Sequence, residues 1–147
     1  MSGEVRLTSV LLVDDEPLVC RAYQRVLERA GHMVACVGDV ATACALLAGD
    51  GHFDVVVTDV TLGGGSGFEV LAIAKRAQPV LPVILISGLA DPAVARRAYD
   101  CGALRYLVKP VSIADLRAAI ADACGGLDRR TSGLTTSPLA APASSAG

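Results

Sequence analysis

Short, continuous runs of aliphatic residues recur along the chain, and all but one of them stop at a chemically reactive polar side chain. Val10 to Val13 stops at Asp14 and Asp15, Val55 to Thr58 at Asp59, Val83 to Ile86 at Ser87, and Tyr106 to Val108 at Lys109 and Pro110. Met33 to Val37 is the exception. The runs begin about 22 to 28 residues apart, room for one strand, one helix and two loops. Continuous apolar runs, as opposed to alternating ones, predict strands buried on both faces.

Helical spacing fills the gaps. After Pro17, apolar residues at Val19, Ala22, Tyr23, Val26, Leu27 and Ala30 follow three and four apart, and Gly31 ends the pattern. Asp39 caps a second helix carrying Ala43, Leu46 and Leu47, stopping near Gly49. Gly67 opens a third with Val70, Leu71 and Ala74. Asp91 before Pro92 starts a fourth, with Val94, Ala95 and Ala98, ending near Gly102. Ser112 and Asp115 have capping-box spacing ahead of Leu116, Ala119, Ile120 and Ala123. Five strands alternating with five helices predict an α/β protein, a parallel sheet with helices on both faces.

A length of 147 residues fits one domain with a loose end. We read residues 1–8 as a lead-in, 9–124 as the folded domain, and the Gly-, Ser-, Thr-, Ala- and Pro-rich stretch 125–147 as a flexible tail or linker. With 52% hydrophobic but only 3% aromatic residues, the core must be built from Val, Leu, Ile and Ala. A net charge of −2 argues against a nucleic-acid surface. There is neither a membrane-spanning run of ~20 apolar residues nor a signal-peptide pattern, so the expected location is the cytoplasm. Cys20, Cys36, Cys44, Cys101 and Cys124 contain no Cys-x-x-Cys pair and are expected to be buried, reduced thiols.

The polar strand ends carry the chemistry. In an open parallel sheet, ligands bind beyond the carboxyl ends of the strands at the topological switch point. In strand order 2-1-3-4-5, the first and third strands are neighbours there, bringing Asp14, Asp15 and Asp59 together beside Ser87 and Lys109. Three carboxylates repel one another and call for a cation, and an all-oxygen set suits Mg²⁺ (or Mn²⁺). A carboxylate nucleophile with a metal, a hydroxyl and an ammonium is equipment for phosphoryl transfer.

These residues, in this order, resemble the response-regulator receiver family of two-component signalling. The resemblance rests on Asp14-Asp15, Asp59, Ser87, Tyr106 and Lys109-Pro110, and covers Val10 to Cys124. It implies the flavodoxin-like receiver fold with strand order 2-1-3-4-5. It implies that Asp59 is the phosphoacceptor, Asp15 a direct metal ligand and Asp14 a ligand through metal-bound water, with the Thr61 backbone carbonyl completing the protein ligands. Lys109 and Ser87 would bind the phosphoryl group. Ser87 and Tyr106 would be the switch residues, and the Lys109-Pro110 bond would be cis. One departure is that Gly63 stands where such domains often have proline, within Thr61-Leu62-Gly63-Gly64-Gly65-Ser66-Gly67.

The implied function is a phosphorelay switch that catalyses only its own phosphorylation and dephosphorylation. The implied donor is a sensor histidine kinase or phosphotransfer protein. Output would pass through the fourth helix, fifth strand and fifth helix, where Arg96, Arg97, Tyr99 and Arg105 lie, and the same face is the expected seat of a homodimer. Two alternatives are an aspartyl-phosphate hydrolase of the haloacid-dehalogenase type and an interaction domain that is not phosphorylated.

Overall fold

Alternate residues of the first strand divide between two cores. Val10 and Leu12 pack on one side of the sheet, and Leu11 and Val13 on the other, all at 1% exposure or less. A strand whose successive side chains point in opposite directions can be apolar throughout only if both faces are covered. The computed structural model describes residues 8–49 and 51–132. The elements run β1 (Ser9–Val13), α1 (Pro17–Arg29), β2 (Met33–Val37), α2 (Val40–Ala48), β3 (Val55–Asp59), β4 (Thr61–Leu62), β5 (Gly65–Ser66), α3 (Gly67–Ala77), β6 (Val83–Ser87), α4 (Pro92–Asp100), β7 (Arg105–Val108) and α5 (Ile113–Ser132).

The main sheet is parallel, in the order β2-β1-β3-β6-β7. This is the expected five-strand order once β4 and β5, a separate antiparallel pair, are set aside. One core joins Leu11, Val13, Val56 and Leu85 to Ala43, Val70, Leu71 and Ala98 of α2, α3 and α4. The other joins Val10, Leu12, Val57 and Ile84 to Leu27 of α1 and Leu116 and Ile120 of α5. Every reactive strand end therefore emerges on one edge, held by apolar packing on both sides.

Helix starts follow local chemistry. Asp39 accepts the Thr42 N–H at 2.6 Å, Asp91 accepts the Ala93 N–H at 2.9 Å, and Ser112 Oγ accepts the Asp115 N–H at 3.0 Å. At α3, Ser66 Oγ accepts from Phe68 while the Glu69 carboxylate accepts the Ser66 N–H.

Two readings of the sequence are corrected. Helix α5 continues to Ser132, past the expected boundary at Cys124. Gly125 and Gly126 open the stretch whose composition reads as a tail, but each glycine costs a helix only about 1 kcal/mol against alanine, too little to stop it. The expected tail at 133–147 and residues 1–7 of the lead-in lie outside the described residues.

The second correction concerns the cysteines. Cys20 and Cys36 are joined in a disulfide, 16 residues apart, with Cα atoms 6.5 Å from each other. Cys36 is in register with Leu12 and belongs to the core that receives α1, where Cys20 is buried. Tertiary packing brings the pair together, so no short-range spacing rule could find it. Cys44 and Cys124 are free and half-buried; Cys101 is free and exposed rather than buried. Among the described residues no helix is long and apolar enough to cross a membrane.

Candidate functional site

Asp59 is the last residue of β3, the central strand, and only 5% exposed. A buried carboxylate needs a partner. Lys109, just beyond β7, supplies it, with Nζ 2.7 Å from Asp59 Oδ2. The Lys109-Pro110 bond is cis, as expected.

Asp14 and Asp15 follow β1, the neighbour of β3. One carboxylate oxygen from each of Asp14, Asp15 and Asp59 lies within 4.8 Å of the others. Asp14 is buried, and its N–H bonds the Val37 carbonyl at 3.0 Å. Its Oδ1 accepts the Glu16 N–H at 2.9 Å. Burial raises its pKa above the ordinary range; the Glu16 N–H opposes this, and the charge of Asp59 adds to it. Neither acid merely caps α1: that helix starts at Pro17 without a side-chain cap. Asp15 is exposed and accepts the Gly63 N–H at 2.7 Å.

Burial works against the Lys109 charge, but the hydrogen bond and charge of Asp59, with Asp14 and Glu16, outweigh it and raise the ammonium pKa. The Lys109 ammonium thus stands against Asp59 and acts on Asp14, while Asp15 completes a set of three carboxylates. The excess negative charge and the oxygen-only donor set fit a hard divalent cation such as Mg²⁺.

The glycine-rich stretch after Asp59 is the β4–β5 hairpin, turning at Gly63 and Gly64, the latter at φ +80°. Thr61 pairs with Ser66 across it. Gly67 then passes so close that a β-carbon there would run into the Asp59 carbonyl. Its N–H bonds the Val60 carbonyl at 2.8 Å.

Ser87 ends β6, fully buried, and its Oγ accepts the Leu89 N–H at 2.9 Å. The Tyr106 hydroxyl donates to the Leu89 carbonyl at 2.7 Å. The two side chains therefore hold one loop residue from both sides.

The family model described as response regulator receiver domain matches residues 10–121. The chain belongs to this family. It is a phosphoacceptor domain of two-component signalling, a switch in class; nothing in the match favours the hydrolase alternative. The receiver is 35% identical over 127 residues to the DNA-binding transcriptional regulator NtrC of Rhizobium meliloti, covering 86% of this chain and 26% of that protein. It is 36% identical over 118 residues to the transcriptional regulatory protein TcrA of Mycobacterium tuberculosis, covering 80% and 46%. The chain thus spans between a quarter and a half of these relatives. A receiver domain from Clostridium thermocellum superposes with a TM-score of 0.75 at 31% identity, over 83% of this chain and 98% of that one. A CheY-like receiver from Methanospirillum hungatei gives 0.80 at 24% identity, over 85% and 99%, and speaks for the fold alone.

Of the surface residues expected to meet a partner, several have partners within the receiver. The Arg97 guanidinium lies 4.0 Å from the centre of the Phe68 ring, joining α4 to α3. Arg105 pairs with Asp122 of α5. The Tyr99 hydroxyl accepts the Tyr106 N–H at 3.1 Å. Arg96 is exposed. Sequence reasoning missed the Gly63 N–H on Asp15, the Val37 carbonyl behind Asp14, and the disulfide. The first two are backbone groups, which no residue type announces.

Proposed function

We propose that this receiver accepts a phosphoryl group on Asp59. The observation that carries this reading is the buried Asp59 carboxylate at a strand end, 2.7 Å from Lys109 and grouped with two further acids. Asp59 attacks the phosphorus of a phosphohistidine on a sensor histidine kinase or phosphotransfer protein. The P–N bond breaks, its electron pair returns to the imidazole, and Asp59 carries the acyl phosphate. Lys109 and the Ser87 hydroxyl bind the phosphoryl oxygens, which a neutral environment would not stabilise. Asp15, Asp59 and the Thr61 carbonyl, with Asp14 beside them, would hold Mg²⁺ or Mn²⁺, which would supply charge neutralisation at the transferring group. The same groups support hydrolysis of the acyl phosphate, so the domain catalyses its own phosphorylation and dephosphorylation.

Ser87 turning toward a phosphoryl oxygen gives up the Leu89 N–H, and Tyr106 loses a fixed anchor. The readout is a population shift on the face formed by α4, β7 and α5, used by an output partner or a second copy of the chain. The expected setting is cytoplasmic.

The test is phosphorylation by acetyl phosphate with Mg²⁺. One base-labile phosphoryl group should appear on the wild type and none on Asp59→Asn. Undiminished labelling of that variant would place the acceptor elsewhere.

A further inference from the structure

The disulfide stands against the acid cluster. Cys20 and Cys36 line a cavity of about 270 Å³ together with Asp14, Asp15, Arg21 and Gln24. Their neighbours hold Asp14. Cys36 immediately precedes Val37, whose carbonyl accepts the Asp14 N–H. The Cys20 N–H bonds the Glu16 carbonyl at 3.0 Å, closing the turn whose Glu16 N–H bonds Asp14 Oδ1. The crosslink therefore ties together the two segments, the start of α1 and the end of β2, that fix Asp14 from opposite sides.

We infer that Cys20 and Cys36 are a thiol–disulfide modification site that sets how well the acid cluster holds its divalent cation. The coupling rests on the metal reading proposed above; the thiol chemistry does not. A dithiol reductant attacks Cys36 Sγ, the less buried of the two. The S–S bond breaks and Cys20 leaves as a thiolate that takes a proton. The second thiol of the reductant resolves the mixed disulfide, freeing Cys36 as a thiol. Two electrons and two protons pass to the protein, and the reductant becomes its own disulfide. A disulfide oxidant such as oxidised glutathione runs the reaction backwards. In the dithiol state α1 and β2 are held by packing and by the long Gln24 Nε2 to Val34 carbonyl hydrogen bond at 3.4 Å, so the backbone partners of Asp14 lose a covalent constraint. Groups that orient a metal ligand matter to affinity at the 10- to 100-fold level when removed, and loosening them should cost about three- to tenfold.

The test uses the full chain equilibrated in reduced and oxidised glutathione or in excess dithiol. Thiols are counted in denaturant, and Mg²⁺ affinity is measured by calorimetry. Oxidised protein should show three thiols and reduced protein five, from the five cysteines of the chain. The oxidised form should bind Mg²⁺ about three- to tenfold more tightly. Cys36→Ser and Cys20→Ala should each match the reduced wild type and ignore the redox buffer. Five thiols at every buffer ratio would overturn the site. Equal Mg²⁺ affinity in both states, or a redox response that survives in Cys36→Ser, would overturn the coupling alone. Absence of Mg²⁺ binding in both states would overturn the metal reading and the coupling with it, while the thiol count would still stand as the measure of the pair.

Discussion

The Gly63 N–H donates to Asp15 Oδ2 at 2.7 Å, pinning the β4–β5 hairpin to one of the three acids. Proline at this position would have no N–H to give. The glycine loop is thus anchored by a backbone bond where a ring would stiffen it. Replacing the acceptor exposes the anchor: Asp15→Ala should speed amide exchange at Gly63 about tenfold, read by NMR. Unchanged exchange would mean the bond does not order the loop.

Gly63→Pro tests the same exchange of devices from the other side. It removes the N–H that Asp15 accepts and brings a ring β-carbon to 3.2 Å from Asp15 Oδ2. Where the N–H was bonded, the loss exceeds the roughly 0.4–1 kcal/mol that proline gains through the unfolded chain, so thermal unfolding should show a net destabilisation of about 1–2 kcal/mol.

The Lys109–Asp59 pair has a pH signature. The Lys109 pKa is raised above its ordinary 10.5 on folding, so the pair's stabilisation is fully present below 10.5 and lost as pH rises through the higher folded value. Lys109→Met leaves buried Asp59 without its partner and should cost about 1–2 kcal/mol near neutrality. Tm profiles of the two proteins should run parallel to about pH 10 and converge above it.

Asp14 has the opposite sign. Burial and Asp59 raise its pKa above the ordinary 3.8, so its charged form destabilises the fold above the folded pKa and the penalty disappears below 3.8. Asp14→Asn keeps an oxygen for the Glu16 N–H and removes the charge. Its Tm should exceed wild type by about 2 °C near pH 7, a small gain because the Glu16 N–H and Lys109 already offset part of the burial penalty, and the gap should close on acidification. Mg²⁺ affinity should fall by about tenfold in the same variant. A lower Tm at neutral pH would contradict the argument.

Gly67→Ala probes the backbone behind Asp59. The added methyl meets the Asp59 carbonyl, so the strand end must move. The expected loss is about 1–3 kcal/mol of stability, measured by urea unfolding. The initial rate of labelling by acetyl phosphate should fall in the same protein below conditions of unfolding, because the displaced atoms belong to the acceptor residue.

How much was legible in the sequence follows from what kind of information each feature needs. Asp14, Asp59, Ser87 and Lys109 could be placed at a common edge because each ends an apolar run, and a run buried on both faces can hardly be anything but an inner strand. The helices were legible from three- and four-residue spacing and from capping residues such as Asp39 and Asp91. Where α5 stops was not, because a glycine pair weakens a helix by an amount that its neighbours can offset.

By itself, then, the sequence determined the alternation of strands and helices, the identity of the reactive side chains and the family they resemble, since these depend on residue type and local periodicity. The tertiary structure alone decided which backbone groups complete the site. Gly63 lies 48 residues from Asp15, and Val37 reaches Asp14 only through the pairing of β2 with β1. It also decided that two cysteines 16 residues apart become bonded neighbours, because α1 packs on the face of the sheet that carries Cys36. Those contacts arise from strand register and helix packing, which bring distant chain segments within bonding distance without leaving a mark on either segment alone.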